Sequence, residues 1–167
     1  MILITTSRRP SRRTRRFCRE LSAVLPHSFY VNRGKASLRT VVERAFVDGY
    51  SRVLIVGETK GNPSLMRFLD VQRSGWRWLY QFYIDDVHLL LDEHRKYREL
   101  DADGLLVRAE LAPLREVFDV YPECTSDCVE LIEQGGNVRF TYNGKAVGPR
   151  FHIKGVDRVP DNQQLQP

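Results

Sequence analysis

Arg52-Val53-Leu54-Ile55-Val56-Gly57 is the stretch on which the fold turns. Four consecutive branched apolar residues between an arginine and a glycine make a strand buried on both faces, and such strands lie centrally in sheets covered by helices. The chain before it supplies both strands and helices. Residues 2–5 form a short apolar strand. Pro10-Ser11 then open a helix over 12–25, with Ser11 as N-cap, Pro26 as the stop and Phe17, Leu21, Val24 and Leu25 as its buried stripe. Residues 28–31 give a second strand. Ser37 caps a second helix running to Asp48, with Leu38, Val41, Val42, Ala45 and Phe46 on its apolar side, and Gly49 ends it.

After residue 57 the period changes. Residues 65–71 alternate, a turn falls at Arg73-Ser74-Gly75, and Trp76, Trp78, Tyr80, Phe82 and Ile84 recur at every second position. This predicts an antiparallel excursion continuing toward Leu91. A charged loop over 92–103 leads to a strand at 105–107 and a helix over 113–121. Residues 129–133, 138–142 and 150–156 complete the chain as hairpins. Asn143-Gly144 is the strongest turn signal among them, because both central turn residues need positive φ.

The 167 residues suffice for one domain with its own core. Composition is ordinary, at 42% hydrophobic and 28% charged, which excludes a disordered chain or a disulfide-built scaffold. No apolar run approaches the ~20 residues of a membrane span. The N-terminus places its apolar piece before its basic residues, the reverse of a secretory signal, so an intracellular protein without a membrane partner is expected. Cys18, Cys124 and Cys128 cannot all pair, and reduced thiols are expected. The C-x3-C spacing of the last two lacks the second ligand pair that a structural zinc needs.

Charge is unevenly spread. Residues 1–40 carry ten Lys/Arg and one acidic residue, and 85–134 carry five basic and fourteen acidic. Residues 135–160 return to five basic and one acidic. One basic and one acidic face are therefore expected, the footprint of a polyanion partner. Seven arginines fall between residues 8 and 19, and Arg12, Arg15, Arg16 and Arg19 share one helix face at i, i+3, i+4 and i+7. Like charges repel, and cations at a helix start oppose its dipole, so a phosphate-bearing ligand is the natural compensation. Arginine grips phosphate with a planar fork and stacks on unpaired bases, which suits RNA. Backbone N–H groups near Ser11 offer a second phosphate site.

Arg33-Gly34-Lys35, before the second helix, and Gly57-Glu58-Thr59-Lys60-Gly61-Asn62-Pro63, after the central strand, both lie at strand ends where α/β sheets collect ligands. The latter lacks the spacing of a nucleotide-binding P-loop. No cofactor or metal is called for. Asp85, Asp86, His88, Glu93 and His94 are the residues from which a metal-dependent nuclease could be built, without the spacing that such sites use.

Ile4-Thr5-Thr6-Ser7-Arg8-Arg9-Pro10-Ser11, Arg33-Gly34-Lys35, the 57–63 block and Gly148-Pro149-Arg150-Phe151-His152-Ile153-Lys154, in this order, closely resemble the Brix domain of ribosome-biogenesis proteins in its Imp4-like form. The blocks span residues 2–156. The resemblance implies an α/β fold of two similar halves of mixed sheet with packed helices, each resembling the anticodon-binding domain of class IIa aminoacyl-tRNA synthetases. The domain would occupy residues 1–157, with a polar C-terminal tail at 158–167. It further implies a non-enzymatic protein that binds pre-rRNA or rRNA during subunit assembly.

Carried over by position, and joined with the arginine face, the expected RNA-binding residues are Thr6, Arg8, Arg9, Arg12, Arg15, Arg16, Arg19, Arg33, Lys35, Lys60, Asn62, Arg150 and Lys154. The chain resembles the compact archaeal form, which implies a cytoplasmic location, or a nucleolar one in a eukaryote. A monomer is expected when free, with ribosomal or other assembly proteins as partners through the acidic 85–134 stretch. The alternatives are a metal-dependent RNA-processing nuclease and a tRNA-binding module of the anticodon-binding type.

Overall fold

A computed structural model describes residues 1–160. In chain order it contains β1 (Ile2–Thr6), α1 (Arg12–Val24), β2 (Ser28–Tyr30), α2 (Leu38–Val47), β3 (Arg52–Thr59), β4 (Asn62–Gln72) and β5 (Gly75–His88). A 3-10 turn (Leu90–Glu93) leads to β6 (Gly104–Ala109), α3 (Ala112–Val117), β7 (Cys128–Gln134), β8 (Asn137–Tyr142) and β9 (Lys145–Arg158). The strands form one mixed sheet in the order β2-β1-β3-β4-β5-β9-β8-β7-β6.

The apolar run in β3 is buried on both faces, as its composition requires. Leu54 and Val56 join Ile2, Ile4, Phe17 and Leu21 beneath α1. Val53 and Ile55 join Leu3, Val41, Val42 and Ala45 beneath α2 on the opposite face. Both helix caps fall where their hydroxyls predict, with the Thr14 and Thr40 amides donating to Ser11 Oγ and Ser37 Oγ.

The sheet repeats itself. β1 and β3 run parallel and are followed by antiparallel β4 and β5, while β6 and β7 run parallel and are followed by antiparallel β8 and β9. The two sets meet where β5 and β9 pair antiparallel. A carboxylate marks the same place in each. Glu58, at the end of β3, accepts from the amide of Ser11, the cap of α1. Glu133, on β7, accepts from the amides of Glu110 and Leu111, ahead of α3. The halves are joined from above as well, since Phe17 of α1 meets Phe151 of β9 edge-on at 5.7 Å between centroids. Gly148 lies under the end of α1 at φ 64°, where a Cβ would fall 2.7 Å from Val24 Cγ1, so no larger residue fits.

Several expectations need correction. The excursion ends at His88, where the ladder shifts between Asp85 and His88 and Asp86 takes φ 47°, so the alternation does not reach Leu91. The third helix stops at Val117 rather than Tyr121. Phe46 is 50% exposed and does not join the apolar side of α2. The block at 57–63 is no open loop but a tight hairpin, with Lys60 (φ 51°) and Gly61 (φ 77°) at its tip. Cys124 and Cys128 are bonded to each other, across a turn that folds back at Asp127 (φ 52°), so reduced thiols hold only for buried Cys18. At the C-terminus, β9 runs to Arg158, and buried Val159 donates to Leu79 O at 3.1 Å. The rest of the expected tail, residues 161–167, lies outside the described residues. Among the described residues no helix is long and apolar enough to cross a membrane.

Candidate nucleic-acid interface

The turn after β1, the exposed flank of α1 and the loop before α2 converge on one cleft of about 790 Å³. It is lined by Arg8, Arg9, Arg15, Arg19, Arg33 and Lys35, with Tyr30 and Asn32 of the β2 end between them. The fold dictates this meeting. β1 and β2 are parallel neighbours, so the segments leaving them emerge at the same sheet edge, and α1 starts above that edge. Arg33 is fixed by Nε to Ala36 O (2.8 Å) and by Nη1 to Thr6 O (3.1 Å). Burial, and then the nearby Arg8 charge, pull its guanidinium below the ordinary value. Among the described residues none of these six cations has a carboxylate within ion-pair distance. Glu58 is the carboxylate whose charge Arg15 feels, at more than ion-pair distance, and the six cations together leave the cleft positive, which makes it a site for anions.

The other arginines of α1 are spent differently. Residues 15 and 16 stand about 100° apart around a helix, so the arginine stripe divides over two flanks. Arg16 Nε donates to Glu20 Oε1 at 3.0 Å, and its guanidinium stacks 4.6 Å above the Tyr97 ring. Glu20 is fully buried and also accepts from the amides of Leu90 and Leu91 (3.0 and 3.2 Å). Arg13 makes a two-bond fork with Asp92, at 2.7 and 2.9 Å.

Hydrogen bonding from Arg13, against the opposing effect of burial, pulls the Asp92 carboxyl down to about 2. A depressed folded-state pKa stabilises above the unfolded value, and that contribution disappears as pH falls from about 4 toward about 2. The urea stability of the wild type minus that of Asp92→Asn should therefore be constant above about pH 5 and shrink toward pH 2. A difference independent of pH over this range would show that the fork adds nothing to folding.

No family model matches the chain. Probable Brix domain-containing ribosomal biogenesis proteins of Pyrococcus horikoshii and Pyrococcus abyssi are 40% and 44% identical to it over 114 residues. The match covers 68% of this chain and 48% of each relative, so it spans about half the length of these curated proteins. A protein of the same description from Sulfurisphaera tokodaii aligns almost end to end, at 28% identity over 94% of this chain and 93% of its own. The crystal structure of a probable ribosomal biogenesis protein from Aeropyrum pernix K1 matches with a TM-score of 0.78 at 27% identity, covering 95% of this chain and 98% of that one. Along most of its length this chain is similar to Brix domain-containing ribosomal biogenesis proteins of archaea. The archaeal Imp4-like protein Mil matches at a TM-score of 0.64 and 26% identity, over 94% and 99% of the two chains.

Not every expected residue reaches the cleft. Thr6 is fully buried and cannot offer its side chain to a ligand. Arg12 is exposed but lies outside the lining, and Arg16 is held by Glu20 and Tyr97. Lys60 and Asn62 are exposed on the β3–β4 hairpin beside the first turn of α1, where Ser11 Oγ donates to Gly61 O. Arg150 pairs with Glu93 at 3.5 Å in a groove shared with His88 and Arg139. Lys154 is exposed where the β5–β9 ladder shifts register.

The start of α1 is not an open phosphate site. The Glu58 carboxylate already occupies the Ser11 amide (2.9 Å) and the Thr14 hydroxyl (2.6 Å). Desolvation opposes its ionisation, but the hydrogen bonds from Thr14 and Ser11 win and hold it below the usual carboxylate range.

The acidic 85–134 stretch is in good part consumed internally. Asp119 pairs with Arg52, Glu116 accepts from Tyr80, Glu130 pairs with Arg108 and Asp85 pairs with His152 at 2.8 Å. Among the described residues no three His, Cys, Asp or Glu side chains converge as metal ligands. Tyr30, which no motif singled out, lines the cleft. Its only sequence signal was an aromatic residue three positions before Arg33.

Proposed function

We propose that this chain is a Brix domain and a non-enzymatic ribosome-biogenesis factor that binds precursor or mature ribosomal RNA. The observation that carries this is the cleft at the β1–β2 edge, where six cations meet without an ion pair among the described residues. The names of the aligned relatives, and the likeness to an archaeal Imp4-like protein, support the ribosomal context. In the same proposal each half is of the anticodon-binding kind, the protein acts in the cytoplasm as a monomer, and assembly proteins meet it elsewhere on the surface. The nuclease alternative finds little support. Asp85 is engaged with His152, and the chain turns at Asp86 rather than presenting a row of carboxylates.

Binding to a pre-rRNA fragment tests the proposal directly. Contacts to about six phosphates release counterions, so affinity should fall roughly 10³-fold between 50 and 200 mM salt. A nearly flat salt response would remove the polyanion reading of the cleft. The same RNA should stay intact in Mg²⁺ or Mn²⁺, and cleavage abolished by changing Asp86 or His88 would favour the nuclease instead. Competition with tRNA separates a ribosomal target from a tRNA-binding module.

A further inference from the structure

We infer that the cleft seats one unstacked nucleotide, its base against the ring of Tyr30 and its phosphates among Arg8, Arg33 and Lys35. The RNA engaged at this point is then single-stranded, a conclusion that rests on RNA being the ligand of the cleft.

A face that only neutralises a duplex needs cations and no aromatic ring, because duplex bases are stacked inward and an A-form helix is met through its phosphates and sugars. This cleft has both. The Tyr30 ring is half-buried in its wall, with the Arg19 guanidinium 5.6 Å from the centroid. The phenol donates to Asn32 Oδ1 at 3.0 Å, which ties the ring to the next turn of chain. A base entering between this ring and the Arg19 guanidinium would stack on a platform already oriented, with the arginine on its other face. The volume of about 790 Å³ lies within the range of sites that enclose a small ligand, the scale of a nucleotide rather than of a helical duplex.

The internal repeat argues for a single such site. In the second half, the turn after β6 corresponds to the turn after β1. There the first residue after the strand is Glu110, whose carboxylate accepts from the Gly135 amide. The Arg115 guanidinium also closes on this turn, donating to the Ala109 and Glu110 carbonyls. Both charged side chains at that turn are engaged within the chain, so one nucleotide site is inferred, at the first half.

The test compares a short unstructured RNA strand with its duplex at one salt concentration, for the wild type, Tyr30→Phe and Tyr30→Leu. Stacking on one aromatic ring is worth on the order of 10-fold or more in affinity. The wild type and Tyr30→Phe should prefer the single strand by that factor, at one strand per chain. Tyr30→Leu, which keeps apolar packing but lacks a π-face, should lose the preference while its salt slope stays the same. Equal affinity for strand and duplex, or a Tyr30→Leu variant as selective as the wild type, overturns the nucleotide site and leaves RNA binding standing. Failure of the wild type to bind either RNA at low salt removes RNA binding itself. Should Tyr30→Leu not fold, photocrosslinking of a bromouridine-substituted strand to the unaltered protein decides. A crosslink on the Tyr30 peptide supports the site, and crosslinks confined to other peptides overturn it.

Discussion

Phe17→Ala should cost about 3–5 kcal/mol of folding stability, read as a lower urea midpoint with little change in slope. Phe17 is fully buried, and its neighbours come from both halves of the sheet, with Phe151 of β9 against its edge and Ile4 and Leu54 in the same core. Removing the ring leaves a cavity at the junction, because the packing of α1 against β9 at Gly148 leaves little room for collapse. A loss below about 1 kcal/mol would mean that the halves are held by the β5–β9 ladder alone. The effect should reach the cleft as well. Arg15 and Arg19 ride on the same helix, so a loosened α1 would spread the charges that the fold brings together.

What the sequence revealed was local. Ser11 and Ser37 each cap a helix with an amide three residues away, the continuous run in β3 can only be a covered strand, and Asn143-Gly144 (φ 51° and 76°) turns as such a pair must. The blocks of the Brix resemblance were also legible, as was the presence of a basic site near the N-terminus. The missing information is the identity of partners distant in sequence. Glu58 reaches the cap of α1 across 47 residues, and Asp92 reaches Arg13 across 79. Charge balances cannot show that a carboxylate in the acidic stretch is the counterion of an arginine in the basic one. The two similar halves were implied by the resemblance and not by any repeat readable in the residues, for a related reason. The repeat is conserved as strand order and as a capping carboxylate, Glu58 in one half and Glu133 in the other, while the residues around them differ. The disulfide was missed because four-residue spacing alone does not reveal the turn at Asp127 that closes it.

Arg15 and Arg19 should together prove the largest contributors to RNA affinity. Both line the cleft and neither has an ion pair among the described residues, so changing both to alanine removes ligand contacts without stranding a buried carboxylate. Two charge-assisted contacts at about 1.5–3 kcal/mol each predict a loss of at least about 100-fold in affinity. The salt slope should fall by about two units, with the melting temperature almost unchanged. Arg16→Ala should behave in the opposite way. Arg16 belongs to the same stripe in sequence but holds the buried Glu20, whose other partners are the Leu90 and Leu91 amides. Its loss should lower the melting temperature more than it lowers affinity per folded molecule. The contrast separates two kinds of arginine that spacing alone cannot separate. If the Arg15/Arg19 pair leaves affinity and slope intact, and removing Lys145, Arg150 and Lys154 reduces both, the RNA surface lies on the β8–β9 hairpin. The cleft at the β1–β2 edge would then need another anion.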